Sequence, residues 1–357
     1  MLKNEVKMRE INMILYIHIP FCENKCGYCA FNSYENKHGL KEEYTQALCL
    51  DLRHALSQTD EPIESIFIGG GTPNTLSVES FERIFESIHH HANLSMDCEI
   101  TTEANPELIS KAWCQGLKDL GINRLSLGVQ SFREDKLLFL ERQHPKNIAP
   151  VIETILKSGI ENVSIDLIYN TPLDDENSLK EELKIAKELP INHLSAYALS
   201  VEKNTNLEKN AKKPSCTNFD NVIKEALEGF SFKQYEVSNY ARNYQVKHNL
   251  AYWGAKDYLG CGAGAVGCVA NERFYAKKLI ENYIKDPLKR QVETLSDQDK
   301  RLEKLFLGLR CVLGVELDFL DKNKVKFLIE ENKAFIKNNR LVASDFFMAD
   351  EMALWLL

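Results

Sequence analysis

The chain has 357 residues, 44% of them hydrophobic and 27% charged, which is enough apolar material for about two domains around sizeable cores. A net charge of −8 excludes a broad nucleic-acid-binding face, because phosphate affinity is built from clustered Lys and Arg. No apolar run reaches the roughly 18 residues needed to cross a bilayer.

Residues 1–12 are polar and of mixed charge, with no apolar stretch or small-residue cleavage site, so they read as a ragged extension rather than a secretion signal. The expected location is the cytosol, where cysteine is kept as thiol. From Ile14 to about Val237, short β-branched runs alternate with amphipathic stretches. A first strand at 15–19 runs directly into Cys22, Cys26 and Cys29. A helix over 40–56 follows, with Leu40, Tyr44, Ala47, Leu48, Leu52 and Ala55 on one apolar face. The second strand, 65–68, ends in Gly69-Gly70-Gly71-Thr72-Pro73. A helix over 79–88 leads to His89-His90-His91, whose consecutive side chains point different ways and read as a solvated helix end. A strand at 99–102 ends at Glu103, one at 124–127 leads to Gln130, and a helix is expected over 145–157. Strands at 162–167 and 193–198 carry Asp166 and Tyr197.

Strands alternating with helices predict a parallel sheet covered by helices. Polar residues end six different strands, which favours a barrel over a doubly wound sheet with one switch point. The expected architecture is therefore α/β, a partial, open parallel β/α barrel over 13–240. A barrel-closing segment over 241–290 holds His248-Asn249-Leu250-Ala251-Tyr252-Trp253 and the small-residue loop from Gly260 to Gly267. A small, mainly helical or winged-helix-like domain over 291–357 is expected to open on a helix at 299–313.

Seven of the ten cysteines are scattered and read as buried small hydrophobes. Cys22, Cys26 and Cys29 fall within eight residues. Three thiolates fill three corners of a cubane and leave one iron open to a small ligand. The competing reading is a structural zinc with His18 or a distant cysteine as fourth ligand, although zinc sites favour separate CxxC knuckles.

The CxxxCxxC spacing after a strand, with Tyr28 before its last cysteine, resembles the radical S-adenosylmethionine (SAM) superfamily. Tyr16-Ile-His-Ile-Pro-Phe-Cys22, Gly69-Gly-Gly-Thr-Pro73, Glu103-Ala-Asn-Pro106, Gly128-Val-Gln-Ser-Phe132, Asp166-Leu-Ile-Tyr169 and the segment from His248 to Trp253 narrow the likeness. They resemble its coproporphyrinogen-oxidase-like branch, and within that the HemW group of heme chaperones. The resemblance implies a [4Fe-4S] cluster on Cys22, Cys26 and Cys29. It also implies SAM chelating the open iron and yielding a 5′-deoxyadenosyl radical on reduction. It further implies a SAM site lined by Tyr16, Tyr28, Gly70, Gly71, Thr72, Glu103, Gln130, Arg142 and Asp166. Glu103 would accept the ribose hydroxyls, and the glycines would let backbone approach the methionine end.

Two functions follow from the likeness. One is a heme chaperone that binds heme and passes it to an acceptor protein. The other is an oxygen-independent coproporphyrinogen III oxidase that decarboxylates propionates. Oxidases carry a further cysteine two residues after the third, where this chain has Phe31, and tend to have a longer N-terminal region. Both features favour the chaperone. His248 is the candidate axial heme ligand beside the Tyr252–Trp253 pair, against a plain reading as a core histidine. Cys261 and Cys268 are weaker candidates. The chain departs from the group at Ala30, commonly Asp, and at Gly264-Ala265-Val266-Gly267-Cys268, often Gly-Ala-His-Ser-Tyr. Expected partners are heme, its acceptor and a reductant such as flavodoxin or ferredoxin. No nucleic acid is expected, and membrane contact only transiently through the acceptor. The likeness implies a scaffold able to cleave SAM rather than a true coproporphyrinogen III oxidase.

Overall fold

β-branched runs become strands, most of them longer than the run itself. In the computed structural model, which describes residues 13–145 and 147–357, the six expected strands are β1 (Met13–Ile19), β2 (Ile63–Gly70), β3 (Leu94–Ala104), β4 (Arg124–Gln130), β5 (Asn162–Tyr169) and β6 (His193–Ala198). The expected N-terminal extension lies outside the described residues. Neighbours in sequence are neighbours in the sheet, all parallel. A parallel pair needs a crossover, and the helices supply it: α1 (Lys41–Leu56), α2 (Val78–His91), α3 (Lys111–Asp119), α4 (Glu134–Phe139), α5 (Ala149–Lys157) and α6 (Glu176–Glu188). Their starts follow local chemistry. Ser77 and Ser110 cap α2 and α3, and Asp175 with Ser178 forms a capping box on α6. α5 begins at Ala149 rather than 145, because Pro150 occupies its first turn and the Asn147 side chain accepts from the Ala149 amide.

Beyond β6, α7 (Asn206–Lys209) and α8 (Asp220–Gly229) lead to β7 (Lys233–Gln234) and β8 (Asn239–Ala241), which join the β6 edge antiparallel. At the other edge α9 (Lys247–Trp253) leads into β9 (Asp257–Cys261), parallel to β1. There β10 (Val266–Val269), β11 (Glu272–Ala276), α10 (Ile280–Lys285) and β12 (Arg290–Thr294) follow. The twelve strands run β12-β11-β10-β9-β1-β2-β3-β4-β5-β6-β8-β7, and the two edges do not pair among the described residues, so the barrel is open. The C-terminal part comprises α11 (Asp297–Leu309), β13 (Val315–Glu316), α12 (Lys322–Glu330), β14 (Ala334–Lys337), β15 (Arg340–Ala343) and α13 (Ala349–Leu356). Its antiparallel sheet is ordered β13-β15-β14, and it has an apolar cluster of its own. The α11 helix ends at Leu309, short of 313. A side chain at Gly308 would meet the Gly314 carbonyl at 2.6 Å, where the chain doubles back.

Alternation along each strand sorts the barrel's two faces. Leu15, Ile17 and Ile19 pack outward with Tyr44, Leu48 and Leu52 of α1 in the main core. The inward row is polar: His18, Ser65, Glu99, Thr101, Arg124, Ser126, Ser164, His193 and Ser195 are all buried. Because α9 plugs the N-terminal end of the barrel, that end is closed. Glu99 accepts from the amides of Lys247 and His248 at 2.9 and 3.0 Å and from the Tyr244 hydroxyl at 2.8 Å. No helix is long and apolar enough to cross a membrane among the described residues.

Candidate functional site

The C-terminal end of the barrel gathers the chemistry. After Ile19 the chain leaves β1 but stays bonded to the glycine turn: Gly71 N–H donates to the Ile19 carbonyl at 2.8 Å and Thr72 N–H to that of Phe21 at 2.7 Å. The cysteine loop is then tied at both ends. Cys22 N–H donates to the Tyr34 carbonyl, Cys29 N–H to that of Cys26, and Gly27 N–H to that of Leu140. Lys25 Nζ bridges the Phe31 and Ser33 carbonyls.

Each sulfur has a polar neighbour. Thr72 Oγ1 donates to Cys22 Sγ at 3.4 Å, Arg142 Nη1 donates to Cys26 Sγ at 3.4 Å, and Ser33 Oγ lies 4.0 Å from Cys29 Sγ. Burial pushes the Cys22 and Cys29 thiols up, so in the bare chain they keep their protons. Among the described residues no three His, Cys, Asp or Glu converge on one metal ion. Three thiols with donors to their sulfurs are the donor set of a cubane, whose potential such hydrogen bonds tune.

Around this loop stand the residues expected to line SAM. Arg142 also donates to the Asn105 side chain at 2.7 Å and to the Gly128 carbonyl, which fixes its guanidinium against Cys26. Gln130 follows a register irregularity between β4 and β5 and has φ of 68°, a left-handed value uncommon outside glycine. Such a residue persists only where its surroundings hold it, and it commonly marks a functional site. Glu103 accepts from the Gly70 amide at 3.1 Å; burial, with Asp166 nearby, pushes its carboxyl up to about 7. Burial raises Asp166 as well, offset by hydrogen bonds from Ser195 and Ser126. Tyr197 is 43% exposed, yet its electrostatic neighbours are Asp166, Glu236 and Glu103, so it faces the lumen rather than the outer surface. Tyr16 donates to His18 Nδ1 at 2.9 Å, while His18 Nε2 donates to the Asn32 carbonyl at 2.8 Å. That assigns a neutral tautomer, in keeping with a His18 pKa lowered by burial. Tyr28 packs against the Leu140 cluster, and its hydroxyl neighbours Cys26, Arg142 and Cys29.

A side chain at any of the three glycines would meet protein. A Cβ at Gly69 would stand 2.8 Å from Glu103 Oε2, one at Gly70 would stand 2.3 Å from the His18 ring, and one at Gly71 would stand 2.6 Å from the Phe21 carbonyl. Gly70 also has φ of 112°. The motif first lets β2 close against the cysteine loop.

His248 is elsewhere. It is 2% exposed on α9, at the opposite end of the barrel. Its Nδ1 meets Ser65 Oγ at 2.6 Å and its ring packs on Phe67 and Tyr252. Burial, with Arg124 nearby, pushes its pKa down to about 3. Its Nε2 is buried with no hydrogen-bond partner among the described residues, and an imidazole so enclosed presents no edge to a porphyrin unless α9 moves. His90 and His91, as expected for a helix end, only bond back to carbonyls of α2.

Several anchoring residues carry little signal in the sequence. Asp51, on the buried face of α1, accepts from the Gly262 amide and the Tyr283 hydroxyl and pairs with Arg290. Tyr44 donates to the His18 carbonyl and accepts from the Ala263 amide. Asn32 donates to the carbonyls of Ala263 and Lys278. Together these pin the small-residue loop across the barrel mouth. A polar residue within an apolar helical stripe, as Asp51 is, was the one available clue.

Comparison with known proteins settles the family. The model of the radical SAM superfamily matches residues 16–198, slightly more than half of the chain. The chain belongs to the radical SAM superfamily. Within it the relatives are HemW proteins. "Heme chaperone HemW" of Bacillus subtilis is 34% identical over 317 residues, 84% of each chain. Its namesake from Lactococcus lactis is 32% identical over 346 residues, 92% of this chain and 90% of that one. The chain falls in that HemW group. Among solved structures, the radical SAM coproporphyrinogen III oxidase HemN of Escherichia coli superposes with a TM-score of 0.82. It covers 97% of this chain and 90% of its own at 19% identity, a likeness of fold.

Proposed function

We propose that this radical SAM protein is a heme chaperone. Cys22, Cys26 and Cys29 hold a [4Fe-4S] cluster, SAM occupies the mouth beside it, and the chain binds heme and hands it to an acceptor protein. The observation that carries this reading is the cysteine loop. Its three sulfurs each have a hydroxyl or guanidinium neighbour, while Phe31, 68% exposed, stands outward where the oxidase pattern carries another cysteine. The names of the relatives across most of their length agree with it. When bound and reduced, the cluster supplies the electron that SAM chemistry requires, and a flavodoxin or ferredoxin is the class of donor expected. Arg142 and Thr72 hold two of the three thiolates in register. Gly70 orients Glu103, whose carboxylate is free to take hydroxyl donors from the ribose, with Tyr16, Tyr28, Gly71, Gln130 and Asp166 around it. Cytosolic placement fits this role, with the membrane reached only through an acceptor.

The test is anaerobic. Reconstituted, reduced protein with SAM is divided between heme and coproporphyrinogen III. Stable stoichiometric heme binding without decarboxylation supports the chaperone; turnover to protoporphyrinogen overturns it in favour of the oxidase.

Glu103 gives a pH signature. Its folded pKa is raised, so in the free protein it lowers stability progressively as pH climbs from the unfolded value toward 7. Ribose hydroxyls donate to the ionised form, so SAM affinity should rise between pH 6 and 8. Glu103→Gln should weaken binding by about tenfold at pH 8 and flatten the profile, with iron content unchanged. An unaltered profile by calorimetry removes Glu103 from the ribose. For His248→Ala, the heme absorption bands should match those of the parent protein; a shifted band would restore His248 as ligand.

A further inference from the structure

A groove of about 730 Å³ lies between the β9–β11 sheet and α11, within the roughly 300–1,000 Å³ typical of small-molecule sites. It sits at the end of the barrel away from the cysteines. Tyr258 pairs in register with Ile14 near the start of β1, whereas the cysteine loop leaves the other end of that strand. Register places three side chains in one row on one face, since Cys268 is the cross-strand partner of both Tyr258 and Arg273. The Tyr252 ring meets that of Tyr258 edge-on at 4.7 Å, so the motif that buries His248 in the lumen also gives a wall to this groove. Opposite, α11 presents Lys300, Phe306 and Leu307.

Resting on the chaperone reading, we infer that this groove is the heme site, with Cys268 as the axial thiolate to ferric iron. The chemistry of the walls matches a porphyrin. Tyr252, Tyr258, Phe306 and Leu307 offer flat and apolar contact. Lys256 and Lys300, which form no side-chain ion pair among the described residues, stand at the groove as partners for the two propionates. The Cys268 thiol is half-buried at the sheet wall rather than sealed in the core, unlike Cys261. On ligation its S–H bond breaks, the proton leaves to solvent, and a sulfur lone pair forms the iron–sulfur bond, with no change of oxidation state. Tyr258 beside it and Arg273 across from it keep the sulfur in a polar row. Heme would therefore bind remote from the cluster, so neither group needs the other's ligands.

The experiment titrates ferric heme into the reconstituted full chain, Cys268→Ala, and the pair Lys256→Glu with Lys300→Glu. Absorption and electron paramagnetic resonance are recorded, and iron–sulfur content serves as the control for folding. Cys268→Ala should lose the thiolate-type heme spectrum, and the lysine pair should bind heme about tenfold more weakly while keeping that spectrum. A parent protein that binds heme and a Cys268→Ala protein with the identical spectrum overturn this site and leave the chaperone reading standing. A parent protein that binds no heme overturns that reading, and the groove with it.

Discussion

Replacing any one of Cys22, Cys26 or Cys29 by alanine is expected to bring bound iron and sulfide to background after anaerobic reconstitution. A cubane bound through three corners has no spare protein ligand, so two thiolates leave a second iron open to solvent. The surroundings offer no substitute. The side chains beside the sulfurs are Thr72, Ser33, Arg142 and Tyr28, hydroxyls and a guanidinium that do not replace a thiolate. Phe31, whose side chain is exposed and whose loop hydrogen bonds are made by its backbone alone, is the control: Phe31→Ser should keep full iron content. Thr72→Val lies between, keeping the ligands but losing the hydroxyl on Cys22, so iron is retained while the reduction potential moves. Full iron in a Cys26→Ala protein would sink the ligand assignment, and full loss in Phe31→Ser would show that the loop's fold, rather than its thiols, was being measured.

Much of the barrel was legible because period-2 and period-3.6 patterns report local structure directly. Residues 162–167 read as a strand, and Asn162–Tyr169 is one. The cysteine motif was legible as a motif because its three thiols fall within eight residues of one loop. Positions fixed by distant contacts were not. Gly69, Gly70 and Gly71 read as a cradle for a ligand, but the sequence does not show that a side chain at each would meet Glu103, His18 or the Phe21 backbone, from distant parts of the chain. His248 beside two aromatics reads equally as ligand or as core. Only the depth of α9 inside the barrel, set by Glu99 about 150 residues earlier in the chain, separates them. The positive φ of Gln130 had no sequence signal, because glutamine does not announce a left-handed backbone as glycine does.

The segment that carries Gln130 is held by a buried charge cluster, and breaking it should have the largest effect on stability of any change outside the core. Lys136, 1% exposed, lies 2.9 Å from both Asp174 Oδ1 and Glu182 Oε2. The contact to Asp174 is an ion pair whose angle falls outside hydrogen-bond geometry. Glu182 also accepts from the Ser131 hydroxyl and, at 2.8 Å, from the Phe132 amide, while Asp174 Oδ2 accepts from the Thr171 amide and hydroxyl. The lysine thus offsets the charge of two carboxylates, of which Glu182 fixes the turn immediately after Gln130 and Asp174 the turn after β5. Lys136→Met keeps the apolar stem but leaves both carboxylates buried, with Arg133 3.5 Å from Asp174. A broken buried ion pair costs about 3–5 kcal/mol, far more than an exposed one. The midpoint of urea unfolding should fall accordingly, and SAM affinity should fall with it as Gln130 loses its support. If the midpoint barely moves, the cluster is hydrated and structurally idle. If it falls while SAM binds as before, the turn after β4 is held by its strand pairing and not by these charges.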